Sequence, residues 1–326
     1  MERVLIYKIT KKDAGQTVRS FLHLRGFSRH ILGTMKPDPR AVLLNNSPVY
    51  MKHMLQEGDL LTIRLTDPEP SEHIVPAPIP FGILYEDEDV MIVDKPAGIA
   101  IHPAISHPAD TLANGVAWYY QQKGQPYVFR CVNRLDRDTT GILVLAKNAL
   151  AASVLGTNLH SDQRDTVFVR TYLAIAEGLT PPSGTIDLPI ARKEGSLIER
   201  CVDFGKGDRA VTHFTTLGHF SRPSSGAGTE NTASEAAPQK REAVSLVRLQ
   251  LETGRTHQIR VHMAAIGHPL AGDTLYNESG IPGMARQALH SHELDIAHPV
   301  SGEILHFVSD MPHDMQEFLH LFSKES

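Results

Sequence analysis

A run of prolines restricts the fold of this chain more than any other feature of its sequence. Five prolines lie in the stretch from Asp67 to Pro80. Each proline fixes its own φ at about −65° and lacks a backbone N–H, so the stretch cannot form a helix interior or a central strand. We therefore predict an extended interdomain linker over residues 66–80, which separates a small unit, residues 1–65, from a larger domain, residues 81–326.

Charge is distributed unevenly between these two parts. The formal net charge of the chain is −5, but residues 1–65 contain eleven Lys and Arg against five Asp and Glu. The rest of the chain contains 21 Lys and Arg against 32 Asp and Glu. Taken alone, a basic segment of this size is more often an ordinary solvated surface, and affinity for the phosphates of a nucleic acid is the alternative.

Composition and cysteine usage predict a soluble protein of the cytoplasm. Apolar residues make up 41% of the chain and charged residues 21%, as in ordinary globular proteins. No apolar run reaches the roughly 18 residues of a membrane span, and the charged segment Met1–Lys8 does not match a signal peptide. The two cysteines, Cys131 and Cys201, lack metal-ligand spacing, so we expect a reduced compartment and no metal. The sequence does not indicate an oligomeric state, and a monomer is the default expectation.

The N-terminal unit shows the signals of a small α/β fold. Helical spacing covers Thr17–Leu24, and Ser28 is a suitable N-cap for a second helix. Strands are expected at Val42–Leu44 and Gly58–Ile63. The arrangement resembles the small RNA-binding module shared with a small-subunit ribosomal protein, although Lys36–Pro39 interrupts the place where the second helix of that module should continue.

The larger domain shows strands and helices without a regular βαβ alternation, which favours an α+β fold with a mixed, largely antiparallel sheet. Strands are predicted at Val90–Val93, Gly141–Ala146, Val167–Ala176, Ala210–Leu217 and Val244–Leu251. Helices are predicted at Leu112–Gln122, Ala149–Leu159 and Thr256–Ile266, the last followed by Gly267 as a C-terminal glycine. Over residues 221–241 we predict a flexible insertion, because this polar segment has too little apolar surface to offset its ordering entropy.

A cluster of charges immediately precedes the predicted strand at Gly141–Ala146. The run Asn133–Asp138 reads locally as a turn with salt bridges. It also fits the DxDxT signature of aspartyl-phosphate phosphatases, formed by Asp136, Asp138 and Thr140. That chemistry needs Mg²⁺ and a strand that ends at the first aspartate. Here the apolar strand follows the motif, so the sequence disfavours a phosphatase.

The predicted strand at Val167–Ala176 carries polar groups on one of its faces. Period-2 alternation places Arg170, Tyr172 and Ala174 on the same side of the strand. Taken alone, a tyrosine at such a position is more often a core residue with a satisfied hydroxyl.

The chain enters the last predicted helix through a glycine. Gly254 allows a tight turn, and Thr256 is a candidate N-cap. Arg255 would then project from the positive end of the helix, and a surface arginine is the simpler alternative. The spacing of His257 and His262 is not the i, i+4 spacing of a helical zinc pair.

Together these segments resemble the RluA family of pseudouridine synthases over about residues 81–310, and both their order and their spacing fit the family pattern. Three positions depart from it: Asn133 replaces a frequent His, Thr140 a frequent Ser, and Arg170 a frequent Lys. The segments that carry the resemblance are Asp94–Pro103, Asn133–Gly141, Arg170–Ala174, Gly254–His262, Gly267–Asp273 and Arg286–His290.

The resemblance implies one essential aspartate, Asp136, which acts at the ribose either as a nucleophile at C1′ or in support of a glycal intermediate. It implies that Arg255 holds this carboxylate ionised. Tyr172 would lie against the uracil ring, with a phenol able to take part in removal of the C5 proton, and Ile259 would form an apolar floor below the ring. Arg134 would enter the space that the flipped base leaves and would stack on the neighbouring bases.

The resemblance also implies a substrate and a division of labour. The larger domain would be catalytic, the N-terminal unit would be an RNA-binding module, and Arg137 and Arg260 would join Arg134 and Arg255 in a basic cleft. Pseudouridine formation involves no redox change, so we expect neither a cofactor nor a metal. Large-subunit ribosomal RNA is the expected substrate, and transfer RNA stays open. The alternative is a catalytically silent RNA-binding or ribosome-assembly factor with the same fold.

Overall fold

A computed structural model describes residues 2–66, 71, 74–104, 107–159, 167–223, 241–278 and 280–325. The described strands form a four-stranded sheet in the N-terminal unit, a ten-stranded sheet in the larger domain, and a separate two-stranded hairpin. None of the helices in these ranges is both long enough and apolar enough to cross a membrane.

The N-terminal unit packs two short helices on an antiparallel sheet of order β1-β4-β2-β3. Ser28 caps the second helix as predicted, and Thr17, predicted as the first residue of the first helix, is instead its N-cap. Both hydroxyls accept hydrogen bonds from backbone N–H groups three residues on, at 3.1 Å for Thr17 and 3.3 Å for Ser28. The second helix ends before the predicted interruption at Lys36–Pro39. The elements are β1 (Glu2–Lys8), α1 (Val18–Leu24), α2 (Arg29–Thr34), β2 (Val42–Leu44), β3 (Ser47–Pro48) and β4 (Leu60–Thr66).

The larger domain is built on one mixed sheet. Its elements are β5 (Gly82–Glu86), β6 (Val90–Lys95), α3 (Leu112–Gln122), β7 (Thr140–Ala146), α4 (Ala149–Leu159), β8 (Phe168–Glu177), β9 (Ser183–Asp187), β10 (Ile190–Arg192), β11 (Arg200–Val202), β12 (Val211–Pro223), β13 (Arg241–Leu251), α5 (Gln258–Ala265), β14 (Leu289–Ala297), β15 (Ile304–Val308), α6 (His313–His320) and β16 (Ser323–Lys324). The sheet order is β16-β12-β13-β8-β14-β7-β6-β5, with β15 beside β14 and β9 beside β12. β14 and β7 run parallel, whereas the other strand pairs among the described residues are antiparallel. The predicted α+β class with a mixed, largely antiparallel sheet is confirmed.

The predicted insertion at residues 221–241 is bounded by two paired strands. β12 continues to Pro223 and β13 begins at Arg241, and these two residues are partners in the ladder. The strand predicted at Ala210–Leu217 is therefore too short at its C-terminal end. Residues 224–240 lie outside the described residues.

Strand β8 lies in the middle of the sheet, and both of its faces are buried. On one face, Tyr172 and Ala174 belong to a core cluster that also contains Ile259 and Met263 of α5. On the other face, Ile175 packs in a cluster with residues of α6. This burial fixes the position of Tyr172 below α5, the helix that contains Ile259 and Arg260.

The N-terminal unit is connected to the larger domain by the polypeptide chain and also packs against it through side chains. Arg3 donates two hydrogen bonds to the buried carboxylate of Asp89, at 2.9 and 2.8 Å. Leu150 of α4 belongs to the core cluster of the N-terminal unit. Gly26 has φ +86°, and a Cβ at this position would lie 2.4 Å from Val154 Cγ2 of α4. The two parts therefore share a close-packed interface.

The second half of the predicted linker packs along α3. The Asn114 side chain donates to the carbonyl of Val75 at 2.7 Å, and the backbone N–H of Ala77 donates to the carbonyl of Asn114 at 3.1 Å. Residues 67–70 and 72–73 lie outside the described residues. The domain boundaries themselves stay a prediction.

Candidate active site

The loop that contains Asp136 is held in place by a buried lysine. The Lys95 ammonium, 1% exposed, donates hydrogen bonds to the carbonyls of Pro96 at 2.8 Å, Ile99 at 3.0 Å and Arg137 at 2.8 Å. Burial lowers the pKa of Lys95 to about 8, although the nearby carboxylates favour the charged form. Three donors on one cation thus fix the aspartate loop to the end of β6.

The C-terminal side of the same loop is fixed by close contact with β14. Gly141 has φ +104°, and a Cβ there would lie 2.2 Å from the carbonyl oxygen of Ser291. Only glycine allows this approach, which explains the Thr-Thr-Gly end of the motif. Arg286 also donates to the carbonyl of Asp138 at 3.1 Å. The aspartate loop is therefore held from both sides.

The loop forms one wall of a cleft of about 840 Å³, a size within the usual range for small-molecule sites. All of the site residues that the sequence predicts line this cleft. They are Asp136, Tyr172, Arg255, Arg134, Ile259, Arg260 and Arg137.

The partner of Asp136 in this cleft differs from the prediction. Arg260 Nη1 donates to Asp136 Oδ2 at 3.1 Å, and the same guanidinium donates to both carboxylate oxygens of Asp273 at 2.7 and 2.8 Å. Arg255 instead donates to Asp208 Oδ2 at 3.2 Å and to the carbonyl of Arg209 at 3.1 Å. The prediction that Arg255 holds Asp136 is wrong in this structure, and Arg260 takes that place.

The start of α5 explains this difference. The helix begins at Gln258 after His257, and Thr256 is not its N-cap as predicted. Gln258 Oε1 accepts hydrogen bonds from the backbone N–H of Arg255 at 3.0 Å and from the Thr253 hydroxyl at 2.8 Å, and these bonds hold the loop before the helix. Arg255 consequently lies in an exposed loop, whereas Arg260 lies in the buried first turns of the helix.

Arg260 is held as a permanent cation between two carboxylates. Burial on its own would lower the pKa of the guanidinium, but Asp273 and Asp136 raise it above its ordinary value. Asp273 is completely buried, so its fork of two hydrogen bonds sets the plane of Arg260. Arg260 in turn orients the carboxylate of Asp136, which is partly exposed to the cleft.

His257 completes the surroundings of Asp136. Its backbone is left-handed, with φ +57°, and its Nε2 lies 3.9 Å from Asp136 Oδ1. Its Nδ1 is hydrogen-bonded to the Tyr276 hydroxyl at 2.9 Å. Burial lowers the pKa of His257 despite the nearby carboxylate, so the ring is neutral at pH 7. His257 and Asp273 lie in two of the segments that carry the family resemblance, but nothing in their spacing distinguished them from core residues.

The floor and the rim of the cleft have different characters. Tyr172 and Ile259 are each 4% exposed, and burial raises the pKa of the Tyr172 phenol, which stays protonated. Arg170 is buried beside them, and within the described part of the chain its Nε has no hydrogen-bond partner. Arg134 and Arg137 are exposed at the rim. The geometry therefore offers an apolar slot with a carboxylate on one side and cations at the entrance.

A possible metal-ligand group among the described residues lies elsewhere. Asp87, Asp89 and His298 are close enough to share an ion, but the Asp89 carboxylate accepts from Arg3 and Asn148. The group stands at the contact with the N-terminal unit. The expectation of an enzyme without metal stays a prediction.

The predicted site residues of this cleft lie in a segment that matches a known sequence family. The model of the RNA pseudouridylate synthase family matches residues 89–265, a range that contains all seven predicted site residues. The chain belongs to the RNA pseudouridylate synthase family. It is therefore an enzyme that isomerises uridine in RNA, and the predicted RluA-type relationship is confirmed.

Individual relatives agree with the family assignment. An uncharacterized RNA pseudouridine synthase of Bacillus subtilis (strain 168), YjbO, is 38% identical over 279 residues, which cover 85% of this chain and 89% of that protein. Ribosomal large subunit pseudouridine synthase D of Neisseria meningitidis serogroup A is 34% identical over 265 residues, 78% of this chain and 64% of that protein. The structure of human RNA Pseudouridylate Synthase Domain Containing 1 has the same fold, with a TM-score of 0.54 at 24% identity over 79% of this chain and 92% of that chain.

Proposed function

We propose that this synthase acts on uridines of large-subunit ribosomal RNA and that Asp136 is its essential catalytic group. The observation that carries the proposal is the ion pair of Asp136 with Arg260 in a cleft whose floor is Tyr172 and Ile259. The ribosomal substrate is supported by the relatives of Neisseria meningitidis, which are named large-subunit synthases.

The chemistry requires a group at the ribose and a slot for the base. The N1–C1′ bond breaks, the uracil rotates, and a C5–C1′ bond forms, while C5 loses its proton and N1 gains one. Asp136 acts at C1′, either as the nucleophile or in support of a glycal intermediate. Arg260 keeps the carboxylate oriented toward the cleft throughout.

Tyr172 and Ile259 form the proposed uracil slot. Because burial raises the pKa of Tyr172, its phenol enters the reaction protonated. This state favours packing and hydrogen bonding against the uracil over removal of the C5 proton, a role that would first require loss of the phenol proton. Ile259 supplies a buried apolar surface at the same cleft.

The exposed arginines serve the strand around the target base. Extrusion of a base from its stack costs a few kcal/mol, and a flat guanidinium offsets this cost by stacking in the vacated space. Arg134, two residues from Asp136, takes that role in this proposal, which is supported by its exposure at the rim of the cleft together with Arg137. The basic N-terminal unit adds affinity for phosphates.

The proposal is tested by mapping pseudouridines in a strain that lacks this protein and is complemented with variants. Asp136→Asn is expected to leave one or more uridines of the large-subunit RNA unmodified. Asp138→Asn removes the same charge from the same loop and is expected to restore modification. Its side chain has no part in the Arg260 ion pair, which makes it a matched control.

Two outcomes would contradict the proposal. Pseudouridine that persists with Asp136→Asn would show that this carboxylate is dispensable. Loss of pseudouridine only from transfer RNA would overturn the ribosomal substrate. The phosphatase interpretation of the same motif predicts chelator-sensitive release of phosphate, and in the structure the strand β7 follows the motif instead of preceding it.

A further inference from the structure

The hairpin β10–β11 presents two large apolar side chains to solvent at the cleft. Its strands pair between Ile190–Arg192 and Arg200–Val202, and the tip spans residues 193–199. Leu197 is 86% exposed, and Ile198 is 64% exposed although it lines the cleft around Asp136. Adjacent aliphatic side chains held in water beside a substrate site indicate a contact that forms when the substrate binds.

The tip is ordered by its own hydrogen bonds. The N–H of Lys193 donates to the carbonyl of Glu199 at 3.1 Å, and Ser196 Oγ accepts from the N–H of Glu199 at 2.9 Å. The Arg200 guanidinium donates to the carbonyls of Ile198 and Glu199, both at 3.0 Å. The exposed side chains are therefore presented by a defined turn, which lowers the ordering cost of binding.

The strand β11 is connected to Asp136 at its first residue, next to the tip. The backbone N–H of Arg200 donates to the Tyr276 hydroxyl at 2.8 Å, and this hydroxyl is hydrogen-bonded to His257 at 2.9 Å. The His257 ring lies 3.9 Å from Asp136. The hairpin thus has a defined position relative to the reacting carboxylate.

Arg255 fixes the other side of the hairpin. Asp208 exchanges backbone hydrogen bonds with Ile190 at 2.9 and 3.0 Å, and its carboxylate accepts from Arg255 at 3.2 Å. Arg255 therefore contacts the residue that pairs with the base of the hairpin, through an exposed ion pair.

We propose that the hairpin tip, Leu197 and Ile198, packs against an unstacked nucleobase next to the target uridine and holds the RNA open. The proposal rests on the proposed action on RNA. Arg134 is proposed to fill the space that the extruded uridine leaves, and the tip would cover the outer face of an adjacent unstacked base, because aliphatic side chains are known wedges between bases. The tip adjoins the cleft into which the extruded uridine must pass, so it faces those bases. Arg192 adds positive charge for the phosphates of the same strand.

The test compares two matched double variants. Leu197→Ser/Ile198→Ser removes the apolar tip. Leu179→Ser/Ile304→Ser removes two side chains that are 52% and 53% exposed and do not line the cleft. Turnover is followed as tritium release from an unmodified large-subunit ribosomal RNA transcript that carries 5-tritiated uridine, because C5 loses its hydrogen in the reaction.

The tip variant is expected to raise KM by about tenfold, the loss typical of one base contact, and to change kcat by less than about threefold. The control variant is expected to match the wild type in both. Leu197→Trp, which offers a larger surface for stacking, is expected to lower KM. A purely structural role for the tip would not produce this improvement.

An unchanged KM in the tip variant would overturn the proposal. A changed oligomeric state in that variant alone, measured by light scattering, would assign the tip to a protein contact and would also overturn it. If the wild type releases no tritium from the transcript, the ribosomal substrate is wrong. The hairpin is then judged by filter binding to total RNA from a strain without the protein, where the tip variant is again expected to bind about tenfold more weakly.

Discussion

The pairing of Asp136 with Arg260 in place of Arg255 leads to a testable prediction about catalysis. Arg260→Lys keeps the positive charge between Asp136 and Asp273, but an ammonium lacks the planar fork that bonds both carboxylates. A hydrogen bond to a charged group contributes about 1.5–3 kcal/mol, and each 1.4 kcal/mol is tenfold in rate. We expect kcat to fall by about ten- to one-hundredfold.

Arg255→Lys is the matched comparison. Arg255 pairs with Asp208 where both side chains are exposed, 43% and 70%, and exposed pairs contribute at most about 1 kcal/mol. We expect kcat to stay within about fivefold of the wild type, with any effect in KM through the hairpin. Single-turnover tritium release measures the chemical step, and circular dichroism confirms that both variants are folded.

The reverse order of effects would refute this reasoning. If Arg255→Lys lowered kcat by more than Arg260→Lys, the ion pair in the free enzyme would not be the arrangement that carries out the reaction. Asp273→Asn gives an independent check, because it removes the buried negative charge that pairs with Arg260 and leaves the residues that line the cleft unchanged. It is expected to lower kcat and also to destabilise the fold, by about 3–5 kcal/mol.

Three further predictions follow from packing and charge. Gly26→Ala should lower the midpoint of thermal unfolding more than Gly15→Ala, because both glycines have positive φ but only a Cβ on Gly26 meets α4; equal effects would argue against a packed interface. The folded-state pKa of Lys95, about 8, lies below its ordinary value of 10.5, so the unfolded chain binds more protons between these pH values. The free energy of unfolding should therefore gain up to about 3 kcal/mol from this group as pH rises from 8 to 10.5, and denaturant titrations of Lys95→Met should lack that gain. Arg170→Met removes a buried guanidinium whose Nε has no hydrogen-bond partner among the described residues, so it is expected to increase stability to urea by about 1 kcal/mol; a loss of stability would contradict this.

The sequence predicted the members of the cleft better than their pairing. Asp136, Tyr172 and Ile259 could be assigned because their segments follow a family pattern in which order and spacing are visible. The choice between Arg255 and Arg260 depends on where α5 begins. That position is set by Gln258 and the left-handed His257, and no propensity in the local sequence indicates it.

Elements stabilised by distant contacts could not be predicted for a related reason. Strand β14 reads Leu-His-Ser-His-Glu-Leu-Asp-Ile-Ala and shows no clean alternation, because its polar side chains find partners from other elements. His290, for example, bonds Thr140 at 2.9 Å and the carbonyl of Ser309 at 2.9 Å. The partners lie 150 and 19 residues away, beyond the reach of any sequence window.

The interface between the N-terminal unit and α4 has a consequence for how the enzyme selects its uridine. A domain on a free tether samples many separations from the active site, and its tether length sets the effective concentration of bound RNA at the site. Here the contacts of Arg3 and Gly26 set one separation. For the RNA-binding role proposed for this unit, the enzyme then measures a fixed distance along the RNA, and a uridine is modified only when it lies that distance from the contact made by the unit.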